Sequence, residues 1–336
     1  MNIILNSPLD MHLHLRDDDM LKFVAPLSAN NFSGAVVMPN IVPSITTKQE
    51  LYDYKKRIQE AIGDRIFEPY MTLFFKNYSK DFLQEIKKDI IAIKLYPAGI
   101  TTNSEDGVKD IDIEHLKPML EIMSELEIPL SVHGETNDMV MNRELEFLPV
   151  YEEIAKNFPK LKIIMEHITT KEAGILLDKY DNLFATITVH HLLITIDDVI
   201  GGMLNPHLFC KPIAKTKRDQ KMLLKLALNA HPKVMFGSDS APHDRRKKES
   251  SSSSAGIFSA SIALELLTQL FDDYGKLDNL QAFVSNNAQN IYKINPPKKV
   301  ITLKKEEFTI PSSYKDNNLE LVPMFADKKL SWSIVK

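Results

Sequence analysis

Leu9-Asp10-Met11-His12-Leu13-His14-Leu15 is the stretch on which the fold turns. A short apolar run with histidines two apart reads as a β-strand, and its period of two puts both imidazoles on one face. Neutral imidazole is a common metal ligand, so two on one face can hold one ion. A lone His-x-His is weak evidence, because a strand histidine is more often a satisfied core or rim residue. The weight comes from what the later runs carry.

Working outward, β-rich runs recur at 34–38 (GAVVM), 67–75 (FEPYMTLFF), 90–95 (IIAIKL), 129–133 (PLSVH), 162–168 (KIIMEHI), 183–189 (LFATITV) and 233–238 (KVMFGS). With 9–15 they make eight. Helical patterns lie between them at 46–62, 79–88, 112–127, 147–157, 170–179 and 216–230. This alternation predicts a parallel sheet, and eight strands close a (β/α)8 TIM barrel, an α/β fold. The rival is an open doubly wound sheet, but no glycine-rich phosphate fingerprint follows the first run.

The chain has 336 residues, and such a barrel commonly needs about 250. The expectation is one (β/α)8 barrel domain over 1–336, with residues 297–336 as a small C-terminal extension packed on the barrel. Two segments read as loops, 98–107 (AGITTNSEDG) and 244–256 (DRRKKESSSSSAG). Both read as solvated connections, or as a disordered linker for the serines. Each follows a run ending in a candidate ligand, which is where the active-site loops of a barrel belong.

With 44% hydrophobic and 26% charged residues the chain can bury an ordinary globular core. A net charge of -4 gives no sign of nucleic-acid binding. Apolar runs are short and broken by charge, so no membrane span is expected. No signal-peptide pattern is visible, and the single cysteine, Cys210, fits a reducing cytoplasm.

The ends of the runs carry the chemistry. The first holds His12 and His14, and the fourth holds Lys94 in Ile93-Lys94-Leu95. The fifth ends at His133, the sixth carries His167, and the eighth leads to Asp239. Ligand-type residues at five strand ends are hard to ascribe to accident, so together they point to a metal site. A lysine aimed into a barrel is buried, and burial disfavours the ammonium. The neutral amine is nucleophilic and can take up carbon dioxide as a carbamate, an anion able to bridge two metals. The bland reading is a lysine that snorkels to solvent.

The motifs MHLHLR, VVMPN, IKLYPAGITTN, SVHGE, MEHI, LFCKPI and FGSDSAPH run in order from residue 11 to about 256. On them the chain resembles the dihydroorotases of the amidohydrolase superfamily, in their short bacterial type. That resemblance implies the reversible closure of N-carbamoyl-L-aspartate to L-dihydroorotate in pyrimidine (UMP) biosynthesis. It implies two Zn2+ per subunit: His12, His14 and Asp239 on one, His133 and His167 on the other, with carboxylated Lys94 (N6-carboxylysine) bridging them. It implies a metal-bridging hydroxide as attacking group, with Asp239 as general base and then acid. Arg16, Asn40 and His243 would grip the substrate carboxylate, with His14 and His133 beside the substrate. The backbone around Lys211 and Ala255 would touch the ring, and Thr101 and Thr102 would ride on a mobile loop. A cytoplasmic homodimer with a small-molecule substrate follows from the same resemblance.

The chain departs from this pattern in three places. Lys211 stands where some relatives carry leucine, Gly99-Ile100 differs, and serines fill 250–254. Arg16 has a bland reading too, as a partner of Asp17, Asp18 or Asp19, and Asn40 beside Pro39 reads equally as a turn residue. His190 and His191 read as rim groups, or as groups that back the ligands, rather than as ligands themselves, His115, His207 and His231 as residues without a role, and Cys210 as structural. Two alternatives stay open: a dihydropyrimidinase-like or allantoinase-like cyclic amidase, and a non-catalytic barrel. The second would have lost ligands, and all six are present.

Overall fold

The computed structural model describes residues 1–335. A first strand, β1 (Asn2–Asn6), precedes β2 (Leu9–Leu13), β3 (Gly34–Val37), β4 (Glu68–Phe74) and β5 (Ala92–Leu95). Then come β6 (Leu130–Val132), β7 (Ile163–Met165), β8 (Leu183–Ile187) and β9 (Val234–Phe236). Strands β2 to β9 form one eight-stranded sheet in chain order, each parallel to the next. The seam closes just past the strand ends: the Asp239 N–H donates to His12 O at 2.8 Å, and the His14 N–H donates to Ser240 O at 3.2 Å. This is the (β/α)8 barrel, and each of the eight β-runs supplies a strand.

The strands are shorter than the runs. Residues 162–168 contribute only Ile163–Met165 to the ladder, because Glu166 and His167 already lie on the way out to the loop. The six helical patterns are the helices Lys48–Ile62, Lys80–Ile86, Ile113–Leu126, Arg143–Asn157, Lys171–Leu176 and Lys217–Leu228. Their starts are written locally. Thr47 and Glu50 form a capping box, and the side chains of Ser79, Asp112 and Thr170 each accept a first-turn N–H.

Strand alternation sorts side chains between two cores. Ile93 and Leu95 face the helices, so Lys94 between them points into the barrel. The interior cluster contains Leu9, Met11, Val36, Met38, Ile164 and Met235, floored by Ala288 and Ile291. In β2 the alternation breaks: Leu9 and Met11 are interior, whereas Leu13 and Leu15 face the helices. The β2–β3 register shifts between Asp10 and Leu13. One extra residue there switches the parity and carries His12 and His14 to the interior side, as β-bulges beside active sites do.

The tail is a sheet stitched to the start of the chain. Strands β10 (Val300–Thr309) and β13 (Lys329–Ile334) form an antiparallel sheet in the order β1-β10-β13, with the hairpin β11 (Tyr314–Asp316) and β12 (Leu319–Leu321) between them in sequence. Trp332 is fully buried, its indole N–H donating to Asp272 Oδ2 at 3.0 Å. The segment 244–256 is not a disordered linker. It holds a helical turn, Arg245–Lys248, and the buried Lys248 ammonium donates to the carbonyls of Phe209, Ser254 and Gly256.

Candidate metal centre

Four imidazoles, an amine and a carboxylate meet at the C-terminal mouth of the barrel. His12 lies in β2 and His14 just past it; Lys94 lies in β5; His133, His167 and Asp239 follow β6, β7 and β9. Ring centroids are 5.2 Å apart for His14 and His12, 4.9 Å for His12 and His167, and 4.8 Å for His167 and His133. Asp239 Oδ1 lies 3.2 Å from His14 Nε2 and 3.5 Å from His12 Nε2. His133 Nδ1 lies 3.2 Å from His167 Nε2.

Two buried atoms in this cluster, Lys94 Nζ and His167 Nδ1, have no hydrogen-bond partner among the described residues. An unpaired buried ammonium is costly. Burial accordingly draws the Lys94 amine down to about 8, against the opposing pull of Glu166 and Asp239. Burial also holds His12, His14 and His167 below the ordinary histidine range, in the neutral form that binds metals. A buried nitrogen-and-oxygen donor set around an orphaned amine fits divalent cations of the zinc type. His167, Asp239 and the neighbouring Arg16 hold left-handed backbone, with φ of 41°, 44° and 59°. Such strain in non-glycine residues clusters at functional sites.

A second layer orients these groups. Glu166 accepts from His12 Nδ1–H at 2.7 Å, from the Thr186 hydroxyl at 2.6 Å and from the Ser131 hydroxyl. His12 Nε2 therefore keeps its lone pair toward Asp239. Burial pushes the Glu166 carboxyl up, but His12, Lys94 and these donors prevail and hold it at about 2. Glu135 Oε2, 2.8 Å from His133 Nε2, leaves His133 Nδ1 facing His167. Asp10 accepts from the Ser238 N–H at 2.7 Å and from its hydroxyl, fastening β2 to the segment that bears Asp239. A Cβ on Gly237 would come within 2.9 Å of His12 Cβ, so the ring needs glycine there. The sequence reading missed Asp10, Glu135 and Glu166. Their signal was an acid placed inside or at the end of an apolar run.

Beside the cluster, Arg16, Asn40, Thr101, Thr102, Lys211 and Ala255 line a cavity of about 20 Å³ with His14, Asp239, Ala241 and Gly256. That is room for about one water. His243 flanks it, with Nε2 3.1 Å from Arg16 Nη2 and 2.9 Å from Ala255 O. The 98–107 loop is laced over the cavity: Asn40 Nδ2 donates to Thr102 O at 3.0 Å, Asn103 Nδ2 to Asn40 O at 3.0 Å, and Lys211 Nζ to Ile100 O at 2.9 Å. Asn40 is thus a buried donor rather than a solvated turn residue. Asp17 is bound bidentately by Arg57, at 2.9 and 2.7 Å, which leaves Arg16 to the cavity. A wider depression of about 1080 Å³ at the opposite mouth is lined by Lys55, Lys162 and Lys293 among others. Chemistry rather than volume selects the site, and barrel active sites lie at the C-terminal face.

Two of the remaining histidines hold acids elsewhere, His207 Glu249 and His231 Asp178, each at 3.0 Å. Of the two readings of His190 and His191, burial goes against an exposed rim and leaves that of groups behind the ligands. Both are buried, at the start of the short helix Val189–Leu193.

An eight-stranded parallel barrel with histidines and an aspartate gathered at its C-terminal mouth has the architecture of an amidohydrolase-type hydrolase. No family model matches the chain. The dihydroorotase of Helicobacter hepaticus is 47% identical over 333 residues, 98% of this chain and 97% of its own. Among solved structures, a dihydroorotase from Campylobacter jejuni superposes with a TM-score of 0.95 at 53% identity, covering 99% of this chain and 97% of that one. A dihydroorotase from Saccharomyces cerevisiae, solved with 5-fluoroorotic acid, gives a TM-score of 0.93 at 35% identity, covering 99% and 98%. The chain belongs to the dihydroorotase family, which makes it a hydrolase acting on cyclic amides in pyrimidine biosynthesis.

Proposed function

We propose that the chain interconverts N-carbamoyl-L-aspartate and L-dihydroorotate with two zinc ions, one held by His12, His14 and Asp239, the other by His133 and His167. The observation that carries this reading is the orphaned Lys94 amine, buried among those five groups. Lys94 Nζ would add to carbon dioxide: an N–C bond forms, a proton leaves to solvent, and the resulting carbamate would supply anionic oxygen ligands to the site. Held there, the ions would supply Lewis acidity, which polarises an amide carbonyl and lowers the pKa of a bound water.

The chain's own residues do the rest. In the hydrolytic direction the Asp239 carboxylate takes a proton from the attacking water and returns it to the ring nitrogen as the C–N bond breaks. Burial raises the Asp239 carboxyl, against the opposing pull of His12 and His133, which suits a group that must both take and give a proton. Arg16 presents a planar fork matched to a carboxylate. Asn40 and His243 complete that grip. The backbone at Lys211 and Ala255 meets the ring, and His14 and His133 stand beside it. Thr101 and Thr102 close over the substrate, and the loop must open to admit a ring larger than the cavity. The same reading makes the protein a cytoplasmic homodimer, each subunit a single domain with residues 297–336 as its extension, without nucleic-acid or membrane partners. No helix among the described residues is long and apolar enough to cross a membrane.

The test is hydrolysis of L-dihydroorotate beside dihydrouracil by purified zinc-loaded protein. The rings differ by the carboxylate alone. A charge-assisted bond contributes about 1.5–3 kcal/mol, so a preference for dihydroorotate of at least about tenfold is expected. Preference for dihydrouracil would move the chain to the dihydropyrimidinase-like reading.

A further inference from the structure

Outside the six-residue cluster, one other group of ligand-type side chains is gathered and buried among the described residues. His190 and His191 open the helix Val189–Leu193, and Cys210 packs against them. One potential ligand atom from each lies within 4.8 Å of the other two. We propose that His190, His191 and Cys210 form a separate site for a borderline-soft divalent ion, Zn2+ in kind.

Three observations carry this. First, His190 is fully buried, and neither of its ring nitrogens has a hydrogen-bond partner among the described residues. A neutral imidazole has one donor and one acceptor, and burying both unpaired is costly. Second, the spacing fits an ion. Cys210 Sγ lies 3.7 Å from His191 Nε2. Zinc–sulfur and zinc–nitrogen bonds of about 2.3 and 2.0–2.1 Å at a tetrahedral angle would set that pair about 3.6 Å apart. Third, the far side of His191 is already oriented: its Nδ1 lies 2.9 Å from Thr188 Oγ1. A hydroxyl on the distal nitrogen is the usual means of steadying a ligating imidazole.

The protons balance. Without an ion, the His191 Nε2–H donates to Pro212 O at 3.0 Å, and the Cys210 thiol donates to the same oxygen at 3.3 Å. On binding, His191 changes tautomer: its single ring proton moves to Nδ1 and is donated to Thr188 Oγ1, which frees Nε2. The thiol proton goes to solvent, one per ion bound, because the ligand is the thiolate. A thiolate with two imidazoles selects zinc or cobalt over hard cations such as magnesium or calcium. The competing account is a hydrogen-bonded pair on Pro212 O with His190 idly packed beside it.

The two accounts part on cobalt spectroscopy, since the six-residue cluster offers only nitrogen and oxygen ligands. Chelator-stripped full-length protein is titrated with Co2+ alone. The proposal expects a thiolate-to-cobalt charge-transfer band in the near ultraviolet and one metal equivalent beyond those of the main cluster. Cys210→Ser abolishes the band and that equivalent, and His190→Gln weakens cobalt binding there at least tenfold. Lys94→Ala leaves the band in place, so failure of the main-cluster reading is told apart from failure of this one. Fully loaded wild-type protein without the band overturns the site, whatever the variants do; so does an unchanged metal count in Cys210→Ser.

Discussion

Lys94 costs the protein a buried amine with no hydrogen-bond partner among the described residues, and Glu166 spends a buried carboxylate on aiming one histidine. At this scale each expectation follows from one atom. If Lys94 carries the proposed bridging carbamate, Lys94→Ala lowers metal content by atomic absorption below wild type and abolishes activity; wild-type values for both would overturn the carbamate. Glu166→Gln keeps the shape but turns an acceptor of three donors into a group with its own N–H₂. Metal affinity, read by chelator competition, drops about 10–100-fold, the usual effect of losing the partner behind a ligand. Arg16→Ala lowers kcat/KM for dihydroorotate by at least about tenfold and leaves dihydrouracil nearly untouched, since a charge-assisted hydrogen bond is lost only where a carboxylate is present. Equal losses on both rings would take Arg16 out of substrate binding.

The elements decide where those atoms go. The bulge in β2 is one residue long, yet without it the parity set by Leu9 and Met11 would turn His12 and His14 toward the helices. The 98–107 loop belongs to this scale too, held down by Asn40, Asn103 and Lys211 through backbone carbonyls. Replacing Thr101 and Thr102 together by Ala is expected to cut turnover while metal stays bound, read by steady-state kinetics beside metal analysis. Lys211→Leu deletes a charged donor worth about 1.5–3 kcal/mol. Amide exchange across 99–107 then speeds up by at least about tenfold; unchanged exchange would mean that Lys211 does not latch the loop.

Across the whole molecule the first and last strands lie in one sheet, β1 against β10. Trp332 in β13 is the largest side chain buried there and anchors the tail to the helix bearing Asp272. Trp332→Ala should cost about 3–5 kcal/mol of stability, seen as a lower denaturant midpoint. The metal centre stands at the barrel mouth on other elements, so activity per folded molecule is expected to survive.

The local patterns were enough for the barrel and for the six clustered residues. Period-two runs and capped helices are short-range signals, and ligand types at the ends of runs are visible one run at a time. The acids behind the candidate ligands were hidden, because Asp10 and Glu166 reveal a purpose only when a partner from another strand, Ser238 or His12, is beside them. The same holds for His190 and His191 beside Cys210, which lies nineteen residues beyond His191, and for the lysines that fasten loops to distant carbonyls. What the sequence by itself determined was which elements form and which face each would bury, since those depend on neighbours along the chain. What only the tertiary structure decided was the parity switch in β2 and every contact across the mouth. Those arise from closing eight strands in a ring, which brings Asp239 back onto His12.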